Sequence, residues 1–285
     1  MADEPGRTIL DNIVSARRHT LEETRLAFPL RRVQQLAEAR QERRDFAAAL
    51  APAAPPGLRV IAELKRASPS RGLLRQQYRR REIASGYAAA GAAALSVLTE
   101  EQYFLGSTQD LTEVRAAVKI PVLRKDFILD SYQVYEAVAA GADALLLIVA
   151  ILPEQDLRGL LALCDQLRIA ALVEVHTEAE LQRAVDAGAR IIGVNNRNLK
   201  TLEVNLETSF ELRAGMPAGC VAVSESGIKT AGDLRRISAA GFNAALIGEK
   251  FMTEPDPGQA LGQLLAEFDG QAAPVETRNS KVENR

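Results

Sequence analysis

The chain has 285 residues, 35 basic against 37 acidic, for a formal charge of −2, and is 47% hydrophobic, an ordinary composition for a globular protein. Near-balanced charge argues against a dedicated nucleic-acid binder, whose domains are strongly basic, and no apolar run approaches the ~20 residues of a membrane span. The mixed N-terminus MADEPGRTILDNIV lacks a signal-peptide core, so a cytoplasmic protein is expected; two cysteines, Cys164 and Cys220, and two histidines, His19 and His176, give neither a disulfide framework nor a metal-ligand spacing, and both cysteines read as buried core.

Residues 1–57 read as an N-terminal helical extension. Ile9, Ile13 and Val14 form the apolar stripe of one amphipathic helix, and Val33, Leu36, Phe46 and Leu50 that of a second. Such stripes need a surface to bury against, so the extension is expected to pack on the domain that follows. Its nine basic and eight acidic residues over 1–50 make a mixed surface, not a nucleic-acid arm. Pro52, Pro55, Pro56 and Gly57 read as a linker.

From residue 58 a repeat counts the strands. AAAGAAALSVL (88–98), AVAAGADALLLI (137–148), AVDAGARIIGVN (184–195) and ISAAGFNAALIG (237–248) are each an Ala-rich helix end, a glycine and a short apolar run. Glycine terminates a helix in the left-handed conformation, and the runs suit strands buried on both faces. Between them lie RVIAELK (59–65), IPVLRKD (120–126), IAALVEV (169–175) and CVAVSES (220–226), so there are eight strands. Helix-like stretches follow at 81–90, 107–118, 130–139, 153–167, 177–187, 207–213, 230–240 and 257–268. Eight parallel strands with right-handed crossovers close most simply into an α/β fold of the (β/α)8 TIM-barrel class over 58–268. A doubly wound open sheet is the rival; it would lack the four-fold repetition, and no GxGxxG follows the first strand. Residues 269–285 are polar and aperiodic and are expected to be disordered.

Barrel chemistry sits at the C-terminal ends of the strands. Here the odd strands end in ionisable residues: Glu63 and Lys65 on the first, Lys125 on the third, Glu174 on the fifth, Glu225 on the seventh. Any one of these could simply reach solvent; four together point to a site. Strand six runs into Asn195, Asn196 and Arg197. Asparagine there can bind a carboxylate or hydroxyl, or simply make a turn, and for Asn196 and Arg197 the turn-making alternative competes. Phosphates in barrels are held by the loops after strands seven and eight, here SESG (224–227, with Ser226 and Gly227) and IGEK (247–250, with Gly248 and Glu249). Lys65 and Ser68 of KRASPSRG add donors. From Lys65 to Arg81 there are seven basic residues and no acid, a loop that would steer an anion, although Arg79–Arg81 also suit a solvated helix start.

Six blocks, IAELKRASPSRG (61–72), SVLTEEQYFLGS (96–107), VLRKDFILDSYQVYEA (122–137), ALVEVHTEAEL (171–181), GVNNRNLKTLEV (193–204) and VSESGI (223–228), together resemble the indole-3-glycerol phosphate synthase family from about residue 9 to 268. The resemblance implies ring closure and decarboxylation of a small anionic sugar phosphate, 1-(2-carboxyphenylamino)-1-deoxyribulose 5-phosphate, without metal or organic cofactor. It implies Lys125 as general acid, Lys65 on the substrate carboxylate, and Glu174 as base with Glu63 beside it, the division of the proton transfers between the two carboxylates staying open. Asn195 and Glu225 would position the sugar hydroxyls and anilino nitrogen, with Arg197 and Ser226 as further binding residues. Phe104, Leu123, Phe127 and Leu246 would wall the aryl ring, although plain core competes for these four. Ser68, Gly227, Gly248 and the backbone of Glu249 would hold the phosphate. A monomer or weak homodimer is expected, with no nucleic-acid or membrane partner.

Three rivals differ in testable ways. A phosphoribosylanthranilate isomerase needs a Cys and an Asp as acid and base, and Cys220 opens strand seven at the wrong end. A Schiff-base aldolase needs a neutral lysine, whereas Asp126 beside Lys125 and the glutamates opposite favour the ammonium. A non-catalytic phospho-ligand binder would not need the acids and bases at the strand ends.

Overall fold

Short apolar runs buried on both faces need parallel neighbours on each side and helices outside. In the computed structural model, which describes residues 7–51 and 57–270, eight runs satisfy one another by closing on themselves. The strands are β1 (Arg59–Leu64), β2 (Ala94–Leu98), β3 (Val122–Lys125), β4 (Ala144–Ile148), β5 (Ala170–Val175), β6 (Ile191–Asn195), β7 (Val221–Glu225) and β8 (Ala244–Ile247). They pair in sequence order, all parallel, and β8 pairs back onto β1 with Ile61 opposite Leu246. The helices between them lie within a residue or so of the expected spans, and the last, Pro257–Asp269, runs one residue past the expected barrel boundary. The glycines that mark the repeat, Gly91, Gly141, Gly188 and Gly241, all have φ between 84° and 106°, a conformation that penalises a Cβ.

Alternation along each strand sorts the side chains. On β1, Val60, Ala62 and Leu64 pack with the outer helices, while Ile61 joins Ala94, Leu123, Ala144, Leu172, Ile191, Val223 and Ala244 inside the barrel. Two residues further along, the same inward face carries Glu63, Lys125, Glu174 and Glu225. The interior is therefore apolar below and ionisable at the mouth.

The extension wraps the barrel from mouth to floor. Its first helix, α1 (Ile9–Ala27), opens on a Thr8/Asp11 capping box and buries Leu10, Ile13 and Arg17. Where one second helix was expected there are two, α2 (Leu30–Ala39) and α3 (Phe46–Leu50), with non-helical backbone between. Electrostatics explains the break. Arg40 donates to the Val138 and Ala142 carbonyls and lies 3.1 Å from Asp143 Oδ1, and the Arg44 N–H donates to the same carboxylate. A continuous helix could not bring these groups to Asp143. Leu36, expected on the apolar stripe, is instead 43% exposed, because α2 turns Val33 and Ala37 inward. Phe46 and Leu50 are buried among the lower interior residues, so α3 closes the floor. Cys164 is buried, with its thiol pushed up to about 12 by that burial. Cys220, expected in the core, is only half-buried, because it precedes β7 at the barrel floor. Pro52, Pro55 and Pro56 of the expected linker, and residues 271–285 of the expected tail, lie outside the described residues.

Candidate active site

The C-terminal strand ends open into a cavity of about 790 Å³. Every expected site residue lines it except Leu123. Leu123 faces inward, but two residues below Lys125 on β3, and it is fully buried in the apolar layer; its parity was right and its depth was not.

Lys125 is the hub. Its ammonium crosses the barrel to lie 3.0 Å from Glu174 Oε2 and 3.1 Å from Glu225 Oε2. Burial opposes the charge, but Glu174, Glu225 and Glu63 outweigh it and hold Lys125 well above the ordinary lysine value. Glu174 is held in turn by Asn195, whose Nδ2 donates to Oε1 at 3.0 Å, while Asn195 Oδ1 accepts from the Arg197 N–H. A second pair stands alongside: Lys65 Nζ lies 2.9 Å from Glu63 Oε1, and Ser96 Oγ donates to Glu63 Oε2 at 3.3 Å. Glu63 is held below the usual carboxylate range although burial pushes the other way, because Lys65 and Lys125 oppose it.

Two lysines face three glutamates, one negative charge too many for a buried site. Glu225 carries the imbalance. It is 1% exposed, and burial lifts its carboxyl to about 7, with Lys125 opposing and Glu174 adding. Neither of its oxygens has a hydrogen-bond partner among the described residues, so the approach to Lys125 is an ion-pair contact without hydrogen-bond alignment.

Asp126, expected to support the Lys125 charge, faces the other way. As the next residue along the chain it points out of the barrel, where it pairs with Arg124 at 2.9 Å and Arg17 at 2.8 Å and accepts from Thr99 at 2.6 Å. Glu136, 2.6 Å from Arg124, completes a balanced group of two arginines and two acids.

One side of the cavity suits an anion. Ser68 Oγ is buried with no hydrogen-bond partner among the described residues. Ser226 and Gly227 are consecutive residues at φ 66° and 79°, which turns the chain sharply after β7; a Cβ at Gly227 would lie 2.7 Å from Val204 Cγ1. Among the described residues the N–H groups of Gly227, Gly248 and Glu249 make no hydrogen bond within the protein. Gly248 is also tight from below, since a Cβ there would lie 2.5 Å from Glu63 Oε1. The Glu249 side chain turns to Arg197, 3.4 Å away, and to Arg71. The opposite side is apolar. Phe104 and Phe127 stand with ring centroids 6.2 Å apart, Leu246 lies near, and Leu98, Leu146 and Ile148 join them.

Some lining residues carried no sequence signal for a site. Ile9, Leu10 and Ile13 of α1 reach the cavity; Ile9 and Ile13 were legible as an apolar stripe, but not their address. The basic run after β1 is mostly structural. Arg75 donates to the carbonyls of Met252, Glu254 and Pro255, and Arg80 pairs with Asp110 and Glu113, which leaves Lys65 and Arg71 as its cavity-lining cations. Asn196 faces away from the cavity and binds Ser209, Ser224 and the Ser226 carbonyl. Among the described residues no group of three His, Cys, Asp or Glu side chains is placed to hold a metal ion.

A family model described as indole-3-glycerol phosphate synthase matches residues 10–264. The chain is 48% identical to the indole-3-glycerol phosphate synthase of Chromobacterium violaceum over 258 residues, 90% of this chain and 97% of that one. It is 47% identical to that of Lactiplantibacillus plantarum over 262 residues, 92% of this chain and all of that one. Among solved structures a mandelate oxidase variant superposes at a TM-score of 0.57 with 18% identity, over 74% of each chain. Thiamine phosphate pyrophosphorylase from Pyrococcus furiosus superposes at 0.56 with 15% identity, over 75% of this chain and 96% of that one. These last two show a shared barrel fold alone.

Proposed function

This chain belongs to the indole-3-glycerol phosphate synthase family, and from that premise we propose that Lys125, paired with Glu174 and Glu225, is the acid of the ring closure. The chain converts 1-(2-carboxyphenylamino)-1-deoxyribulose 5-phosphate to indole-3-glycerol phosphate, carbon dioxide and water, a step of tryptophan biosynthesis.

The single observation that carries the assignment is the position of Lys125 Nζ, about 3 Å from two buried glutamates in a cavity with free hydroxyl and N–H donors on one side and apolar side chains on the other. As the aryl carbon bearing the carboxylate attacks the ketone, negative charge develops on the ketone oxygen, and an ammonium can supply the proton. The glutamates keep Lys125 charged until then. A proton on Glu225 would remove one of the charges that retain the ammonium's own proton, which eases its transfer. Lys65, at the mouth beside Glu63, is assigned to the substrate carboxylate that leaves as carbon dioxide. Glu174, aimed by Asn195, is the assigned base for the proton lost during dehydration, with Glu63 near it.

Ser68, Ser226, Gly227, Gly248 and the Glu249 N–H are assigned to the phosphate, since oriented N–H groups and a free hydroxyl suit an anion. Phe104, Phe127 and Leu246 are assigned to the aryl ring, and Asn195, Arg197 and Glu225 to the sugar and anilino groups. A cytoplasmic location and a monomer or weak-dimer state belong to the same proposal. Purified protein mixed with the carboxyphenylamino substrate should develop indole fluorescence; protein that leaves the substrate unchanged would overturn the reading. Borohydride should trap no lysine adduct, because a charged Lys125 is no nucleophile.

A further inference from the structure

Strand β6 presents Ile191, Gly193 and Asn195 to the barrel interior, and the middle one has no side chain. In register, Gly193 stands beside Glu174 on β5 and Val223 on β7, and the next inward pair up is Asn195 with Glu225. The gap therefore lies between the two glutamates that face Lys125. Backbone conformation does not call for a glycine here, since Gly193 has no positive φ. A glycine inside a strand weakens it and marks a close approach by another group. The approaching group is the Glu225 carboxylate. A Cβ at Gly193 would lie 2.0 Å from Glu225 Oε1 and 3.1 Å from its Cδ, with Leu172 Cδ1 also at 3.1 Å.

No hydrogen bond orients the Glu225 carboxylate among the described residues. The recess at Gly193 and the ammonium of Lys125 are what hold it. We infer that Gly193 is a positioning residue, its missing side chain forming the seat that aims the Glu225 carboxylate at Lys125 Nζ. This rests on the assignment of Lys125 as the acid. A methyl group at 193 would displace the carboxylate, the flexible end of its side chain, and open the 3.1 Å contact with Lys125. Leu172 needs to give by only a few tenths of an ångström. The cost should fall on catalysis more than on folding.

The test is a double-mutant cycle on the full chain: parent, Gly193→Ala, Glu225→Gln and both together. Gly193→Ala should fold and lose at least about tenfold in kcat, with a smaller rise in KM, because Glu225 is also assigned to the sugar and anilino groups while the phosphate grip is untouched. Glutamine keeps the volume of Glu225 but not its charge, so Gly193→Ala should cost nothing further in the Glu225→Gln background. Parent kcat in Gly193→Ala, or losses that multiply in the double variant, would overturn the inference and assign the glycine to packing against Leu172. Should Gly193→Ala fail to fold, Gly193→Ala combined with Glu225→Ala decides: recovered folding supports the carboxylate seat, and continued failure rejects it. An inactive parent would refute the functional reading itself, whereas an active parent lets the cycle judge Gly193 alone.

Discussion

Arg17 on the first helix and Asp126 on the third-strand turn lie 109 residues apart in sequence, and Arg17 Nη2 donates to Asp126 Oδ2 at 2.8 Å. Asp126 directly follows Lys125 and precedes Phe127, both of which line the cavity, so the extension is tied by a side-chain bond to the residue between them. Arg17→Met should destabilise the protein by roughly 1–3 kcal/mol. This is less than the about 3–5 kcal/mol for stranding a buried charge outright, because Arg124, Thr99 and the Phe127 N–H still hold Asp126. The variant should also raise KM, since Ile9, Leu10 and Ile13 line the cavity from the same helix. Denaturant titration and steady-state kinetics check both; an unchanged midpoint and KM would show that α1 merely covers the surface.

Removing residues 1–50 should be far more damaging than Arg17→Met. Phe46 and Leu50 are buried in the barrel floor, and deleting one large core side chain alone costs about 2–5 kcal/mol. The truncated chain should melt well below the parent and bind substrate weakly. A truncation with the parent's melting temperature and kinetics would show that the barrel needs neither end of the extension.

The strand count, the helix spans and the ring of ionisable strand ends were legible because each rests on local periodicity and on the mouth rule for barrels. Long-range ion pairs were not. Nothing in the spacing of Arg40 and Asp143, or of Arg17 and Asp126, says that they meet, and the first of these pairs breaks the second helix of the extension. Depth was equally hidden. Leu123 has the parity of Lys125 but lies one layer too deep to line the cavity, and Asp126 has the opposite parity and therefore the opposite partners. Gly193 lies in GVNNRNLKTLEV with no role legible there, because the side chain that needs its space belongs to another strand.

Gly248 faces two demands, a free N–H at the mouth and room for Glu63 below. Gly248→Val should therefore raise KM through the phosphate and also lower kcat by pushing Glu63 off Lys65, where a phosphate role alone would change mainly KM. Steady-state kinetics separates the two. An unchanged KM with intact folding would remove Gly248 from the phosphate site.

Glu225 should give stability a pH dependence of defined sign. Its folded carboxyl titrates near 7 against an ordinary 4.5, chiefly through burial. Between these values the folded state holds a proton that the unfolded chain releases, so the contribution is full below about 4.5 and lost as pH rises through about 7. Glu225→Gln abolishes that titration. The parent should lose stability relative to Glu225→Gln between about pH 5 and about pH 8, as read by denaturant midpoints. A difference that is flat with pH would mean that Glu225 is charged throughout.

The proposed role of the Lys125 ammonium is to deliver the proton of ring closure. Lys125→Met keeps much of the side-chain length and removes the charge and the proton. Single-turnover and steady-state indole fluorescence on this variant should show kcat lowered by at least roughly 10²-fold, the lower end of what general acid catalysis supplies, with the protein still folded. Lys125→Arg should be poor as well, since guanidinium is a weaker acid with a different geometry. A Lys125→Met protein that closes the indole ring at near the parent rate would exclude Lys125 as the acid and make Lys65 the first candidate.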